Sequence, residues 1–311
     1  MELTEIGKDV WTCLQEDRGL GYSNSGLIAR GGGLVVDTFW DLSHTRDLIA
    51  QYARVLSAPA RRVVNTHYNG DHCWGNQLFT GAEIIGHRKC PDGMRHESPQ
   101  VMSMLKGAAD GPDPAFASFG RLLAEWDFDG IALTPPTTLF DDRLVLDLDG
   151  LEVRLEYVGP AHTSADVIVH VPSARVVFTG DVLFRKCTPI GWDGTYAQWV
   201  AALDRIVALE PEVVVPGHGP LSGVEGPQEM KAYLLYVRRE SERFFAEGLT
   251  ALEAAKRIDP GPYASWTEPD RILFNVDRAY RELRGEPWDA PIDAGTLFRG
   301  MYELRRARGA A

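Results

Sequence analysis

The sequence predicts an α/β fold that ends in a helical extension. Three observations carry that reading. Short apolar runs of strand length recur through the first 215 residues, most of them beside Gly- or Pro-bearing turns. Segments with helical apolar spacing sit between them. Near Gly226 the composition shifts, and from Pro227 onward the pattern is helical.

In chain order, residues 10–14, 26–29 and 34–36 read as strands. The run Gly31-Gly32-Gly33 makes a hairpin turn between the last two and lacks the GxGxxG spacing of a dinucleotide site. Residues 41–56 read as a helix with Asp41 or Ser43 as its cap. Residues 62–65 form a short buried strand centred on Val63 and Val64, and the polar stretch 67–76 follows. Residues 91–136 are irregular and partly helical, with an amphipathic helix at 116–126 and a lid as the expected role. Strands resume at 144–148 and 151–158, joined by the hairpin signal Asp149-Gly150. Residues 167–171 and 175–178 are a further strand pair, 197–209 a helix, and 212–215 a strand stopped by Pro216-Gly217. The expected helices of the extension are 230–245, 251–258, 272–283 and 297–306.

At 311 residues the chain is long for one core and short for two enzyme domains. One domain over 1–225 with a helical extension over 226–311 fits that length. The formal charge of −12 repels phosphate backbones and argues against nucleic acid as a ligand. No apolar stretch is long enough to cross a bilayer, and the acidic start lacks the features of a signal peptide. Cys13, Cys73, Cys90 and Cys187 form no CxxC pair and no disulfide framework. A cytoplasmic enzyme with reduced thiols is the expectation.

The chemistry concentrates after strands. His67-Tyr68-Asn69-Gly70-Asp71-His72 places two imidazoles and a carboxylate within six residues. These are suitable ligands for a divalent cation such as zinc. Later segments each add one donor beside a turn residue: His162 after Gly159-Pro160, Asp181 after Gly180, and His218 after Pro216-Gly217. A lone His or Asp at such a place is ordinarily structural. Several such donors, each just after a strand, point to one centre at a sheet edge.

In this order and spacing, residues 3–225 resemble the metallo-β-lactamase superfamily, whose motif runs HxHxDH, then His, then Gly-Asp, then Gly-His-Gly. The resemblance implies an αββα sandwich with one or two zinc ions at one edge, iron or manganese being the other metals expected. It implies that His67 and His162 serve a first position, that Asp71, His72 and His218 serve a second, and that Asp181 bridges them. The family's second motif His is Asn69 here. An amide oxygen is a poorer zinc ligand than imidazole. The first position is then weak, empty or filled by a harder metal that accepts oxygen. Gly180-Asp181, in place of Gly-Cys, resembles the thioesterase, lactonase and hydroxyacylglutathione hydrolase branches. In the family an Asp at the place of Asp37 braces the ligand loop. Tyr68, Trp74 and Trp192 flank the motifs and are candidate pocket walls, although aromatics of this kind are more often core.

The activity expected from this resemblance is hydrolysis of an activated acyl bond, a thioester or a lactone, in a small-molecule substrate. A metal ion lowers the pKa of bound water to about 7 and polarises the carbonyl. Asp71 is the candidate proton-transfer residue. Two rival expectations keep the scaffold and change the chemistry: iron-dependent oxidation of a sulfur compound, and a polyketide-type cyclase or thioesterase. A third is a binding protein whose site has decayed at Asn69. No G-x-S-x-G elbow offers a serine mechanism. Tyr233, Tyr236, Phe244, Phe245, Trp266 and Phe274 give the extension enough apolar surface to shape a pocket or a homodimer contact.

Overall fold

Short strands whose alternate residues face opposite layers build the two sheets. The structure, a computed structural model, describes residues 1–16 and 18–309. Strands β1 (Glu2–Gly7), β2 (Val10–Leu14), β3 (Ser25–Ile28), β4 (Leu34–Val36), β5 (Arg62–Val64), β6 (Glu83–His87) and β7 (Thr138–Phe140) form one sheet in chain order. Its pairs are antiparallel up to β4 and parallel from β4 to β7. The second sheet joins β8 (Arg143–Leu148), β9 (Leu151–Tyr157), β10 (Val167–Val171), β11 (Val176–Phe178) and β12 (Val213–Val215) in the order β12-β11-β10-β9-β8. Only β11 and β12 run parallel there.

Alternate side chains face alternate layers. Leu34, Val36, Val64 and Ile85 of the first sheet meet Val167, Val169, Val176, Phe178 and Val215 of the second in the central core. Val35, Val63 and Ile84 point the other way, onto Leu48 and Tyr52 of helix α1 (Leu42–Tyr52). Short helices α2 (Gly70–Cys73), α3 (Cys90–Arg95), α4 (Pro99–Gly107) and α5 (Pro114–Leu122) fill the connection between β5 and β7 on either side of β6. Ile168, Val177 and Val214 leave the second sheet on its outer face. They pack with Leu203 and Ile206 of α6 (Tyr196–Val207), Met230 and Leu234 of α7 (Glu225–Ala246), and Phe274 and Val276 of α9 (Ile272–Leu283). Helices α8 (Ala251–Arg257) and α10 (Ala294–Ala307) belong to the same cluster through Ala254, Ala255, Leu297 and Leu304. The layers are therefore α, β, β, α, with the C-terminal helices sharing the core of the second sheet. Among the described residues, no helix is long and apolar enough to cross a membrane.

Three strands lie outside the sequence expectation: β1, β6 and β7. β1, on a sheet edge, intersperses Leu3 and Ile6 among polar residues and buries none of its side chains fully, so it carries no apolar run. The helix expected at 116–126 runs instead from Pro114 to Leu122. Asp113 caps it by accepting from the amides of Ala115 and Phe116, and Pro114 supplies a pre-set first turn. The chain leaves the helix after Leu122, which lets Trp126 pack against Tyr22 and Trp40.

Candidate metal centre

Each of four donors sits just beyond a strand end: His67 after β5, His162 after β9, Asp181 after β11 and His218 after β12. Asp71 and His72 lie on α2, one turn further along the loop from β5. The sandwich brings all six together at one edge. Nε2 of His72 lies 3.0 Å from Asp181 Oδ1 and 3.9 Å from Asp71 Oδ2. Nε2 of His218 lies 3.3 Å from Asp71 Oδ2 and 3.3 Å from Asp181 Oδ2. Asp181 Oδ2 is also 3.4 Å from His162 Nε2 and 4.0 Å from His67 Nε2. Asp181 thus faces both the His67–His162 pair and the Asp71–His72–His218 group. His67, His72 and Asp181 form one tight donor set, and Asp71, His72 and His218 another.

The imidazoles are oriented from behind. Nδ1 of His72 is 2.9 Å from Asp37 Oδ2, that of His162 2.6 Å from the Ile190 carbonyl, and that of His218 3.1 Å from the Tyr22 carbonyl. Nδ1 of His67 lies 3.0 Å from Thr66 Oγ1, whose own hydroxyl donates to Asp37 Oδ2 at 2.7 Å. Every Nδ1 therefore faces an outward acceptor, which leaves the Nε2 of each ring turned inward as the atom a cation would take. Asp37 is itself held in place. Its backbone adopts φ 61, a region few non-glycine residues occupy, while the Thr66 amide donates to Oδ1 at 2.7 Å.

Two glycines make the approach possible. A Cβ on Gly217 would overlap Asp181 Oδ1, and one on Gly180, at φ +48, would overlap the Thr66 side chain. Only glycine lets these two turns close on each other.

Burial and charge sort the protonation states. Burial, with the neighbouring His72 charge, holds His67 well below the ordinary histidine value, and burial also lowers His162. Burial works the same way on His218, yet Asp181 and Asp71 outweigh it and raise that ring to about 9. His72 is raised by the same carboxylates against its burial. Burial favours a neutral Asp71, but the His72 and His218 charges hold its carboxyl at about 2. Asp181 is likewise held low against burial by the charges of His218, His72 and His162. The donor set fits a divalent cation on two grounds: His67 Nε2 is buried without a hydrogen-bond partner, and the Nε2 atoms of four imidazoles converge on two carboxylates.

Asn69 lies beside His162, its Oδ1 2.7 Å from Nε2. Tyr68 donates its hydroxyl to Asp193 at 2.7 Å and is half-buried. Trp192 is half-buried, with its ring against Phe274 and its amide donating to the His162 carbonyl at 2.8 Å. Trp74, a candidate pocket wall from its sequence position, is instead buried in the aromatic cluster with Trp40 and Phe128, so its ring is core. The Cys73 thiol is buried, and burial pushes it far above its ordinary value. Thr66, Glu97, and the carbonyls of Tyr22 and Ile190 escaped sequence reasoning. Thr66 adjoins His67 and could have been found by position; a backbone carbonyl carries no sequence signal. Glu97 accepts from Asn69 Nδ2 at 2.5 Å and from the Gly70 amide at 2.7 Å. Burial pushes its carboxyl up to about 7 against those two donors. Phe184 stacks on His218 at 5.2 Å between centroids and lies edge-on to His162, an apolar floor under the centre. Asp71, with 17% of its side chain exposed, is the most open of the six, so the centre opens on its side.

Two facing sheets with a His/Asp cluster on strand-end loops define a class of metal-centre αββα proteins. The chain belongs to the metallo-beta-lactamase superfamily, whose family model matches residues 18–218. It is similar to a linear primary-alkylsulfatase from Pseudomonas sp. (strain ATCC 19151), 25% identical over 89% of this chain and 59% of that protein. It is also similar to a hydroxyacylglutathione hydrolase from Brucella ovis, 26% identical over 85% of this chain and 89% of that protein. A metallo-beta-lactamase from Pontibacter korlensis shares the fold with a TM-score of 0.55 at 20% identity, covering 74% of this chain and 97% of its own. The chain thus spans less than two thirds of the alkylsulfatase's length.

Proposed function

We propose that this protein is a metal-dependent hydrolase of an activated acyl bond, a thioester or a lactone, in a small molecule. The observation that carries the reading is the common orientation of the four imidazoles, each Nδ1 committed outward and each Nε2 turned into the centre. His67, His162 and Asn69 would hold one ion, Asp71, His72 and His218 a second, and Asp181 would touch both. Zinc suits this nitrogen-rich set. A divalent ion there supplies the Lewis acid that polarises an ester oxygen and acidifies water.

The chain's own residues do the rest. Asp37 and Thr66 fix the ring orientations before substrate arrives. Asp71, ionised at neutral pH and nearest the opening, offers Oδ2 as the acceptor for the proton of an attacking water. Phe184 excludes bulk water from beneath the centre. The likeness to a hydroxyacylglutathione hydrolase over 85% of this chain supports a thioester, because an acylglutathione is one.

A second reading is hydrolysis of a sulfate ester. It is favoured by the likeness to an alkylsulfatase, which extends over 89% of this chain. A panel of acyl thioesters, lactones and primary alkyl sulfates, assayed before and after chelation and after return of Zn2+, tests both readings. The expected result is turnover of a thioester or lactone that the chelator abolishes and Zn2+ restores. Turnover of sulfates alone would transfer the assignment to the second reading. Full activity in metal-free protein would refute both.

A further inference from the structure

We infer that Glu97 is a positioning residue that turns the Asn69 amide so its oxygen serves as the third donor of the first metal position. The inference rests on the metal-centre reading above and concerns the one place where this chain leaves the HxHxDH pattern.

Asn69 occupies the N-cap of α2, where an Asn oxygen ordinarily accepts from a helix amide. Here its side chain makes no capping bond. Glu97, from the turn between α3 and α4, caps the helix in its place, Oε2 accepting from the Gly70 amide at 2.7 Å. Its other oxygen, Oε1, accepts from Asn69 Nδ2 at 2.5 Å. Both Glu97 oxygens are engaged as acceptors, so the reversed amide would set Oδ1 against Oε1, acceptor against acceptor. Glu97 therefore decides which end of the amide faces the centre.

The end that faces it is Oδ1, 2.7 Å from His162 Nε2. Nδ1 of that ring is committed to the Ile190 carbonyl, so the neutral imidazole offers a lone pair at Nε2. Two acceptors then converge at hydrogen-bond distance with no proton between them. His67 Nε2, buried and without a hydrogen-bond partner, turns a third lone pair toward the same carboxylate oxygen, Asp181 Oδ2, which is 4.0 Å from it and 3.4 Å from His162 Nε2. A cation among these three atoms satisfies them together. The replacement of imidazole by amide thus leaves a two-nitrogen, one-oxygen site, with the amide oriented by an acid from 28 residues away.

Competition titration of the full chain with Zn2+ against a coloured chelator tests this, with thermal melting of the metal-free proteins as a folding control. Wild type should bind two Zn2+. Glu97→Gln should weaken one of the two affinities by about tenfold to a hundredfold and leave the other unchanged. A Gln amide can hold Asn69 in either orientation. Adding Asn69→His to Glu97→Gln should restore the lost affinity, because an imidazole at 69 does not need the carboxylate. Asn69→Ala, which leaves the Glu97–Gly70 contact in place, should show the same selective loss and decides the matter if Glu97→Gln does not fold. Two affinities unchanged in Glu97→Gln would overturn the assignment of Glu97, and unchanged affinities in Asn69→Ala would overturn the ligand. A single Zn2+ in wild type would also overturn the proposal. Those outcomes leave the hydrolase reading standing, whereas a wild type that binds no metal removes both.

Discussion

Asp37 shows how much a single side chain can organise. Its two oxygens take the Thr66 amide, the Thr66 hydroxyl and Nδ1 of His72, and through Thr66 it reaches His67 as well. Asp37→Ala should therefore weaken Zn2+ binding by about tenfold to a hundredfold, read by chelator competition. Affinity equal to wild type would mean that the rings hold their orientation without it. At Gly217 the constraint is steric. A methyl group there meets Asp181 Oδ1 and the backbone of Gly180 and Asp181. Gly217→Ala should lower bound metal per chain as measured by elemental analysis, and full occupancy would show that the turn can shift aside. The candidate donors were legible in the sequence, because they cluster in segments that follow strands, with Gly70, Gly180 and Gly217 directly before Asp71, Asp181 and His218. The partners behind them were not. Nδ1 of His218 binds a carbonyl 196 residues away, and any residue can supply a carbonyl.

Among the elements, α1 carries a cap with a defined pH range. Asp41 accepts from the His44 amide at 2.7 Å and from its Nδ1 at 2.8 Å. The hydrogen bond to Asp41 raises His44 above its ordinary 6.5 against partial burial. Burial works to raise Asp41, but the His44 hydrogen bonds and charge hold it below its ordinary 3.8. The His44 contribution is complete below pH 6.5 and fades as pH rises through the raised value; the Asp41 contribution is complete above pH 3.8 and fades as pH falls through the lowered one. Both are whole only between those limits. Asp41→Ala should cost about 1 kcal/mol of stability in urea melts. The cost should be greatest inside that range and smaller at pH 8; a cost that grows with alkaline pH would contradict the pairing.

Helix α9 braces the loop that carries a ring's outer partner. Asn275 Nδ2 donates to the Pro189 carbonyl at 3.0 Å, next to Ile190, whose carbonyl holds His162. Asn275→Ala leaves that buried carbonyl unpaired and should destabilise by roughly 1–3 kcal/mol, seen as a lower Tm. An unchanged Tm would mean that the loop does not depend on the helix. Helix α9 was readable from its apolar period, but what it holds was not, since Pro189 lies 86 residues earlier.

At the scale of the whole molecule, the helices after residue 225 close the outer face of the second sheet. Ile168, Val177 and Val214 share one buried cluster with Met230, Leu234, Phe274 and Leu304. On the other side, Phe298 of α10 reaches Phe119 of α5 at 4.6 Å between centroids. Removing 226–311 would expose that apolar face, with each fully buried large side chain worth about 1.5–3 kcal/mol. A chain ending at residue 225 should therefore aggregate or lack a cooperative melt. A sharp, reversible transition would instead mark 1–225 as an independent domain.

By itself the sequence determined which atoms are available and in what order. Short apolar runs specify strands, turn residues stop them, and imidazoles and carboxylates follow the stops. Tertiary structure alone decided where those atoms point. A strand pattern says which face is buried, but hydrogen-bond partners tens to hundreds of residues apart are set only when the sheets close. Closure gave His72 its Asp37, His162 the Ile190 carbonyl and Asn69 its Glu97. Coordination depends on the direction of a lone pair, and direction follows from the far partner that holds the other end of the side chain.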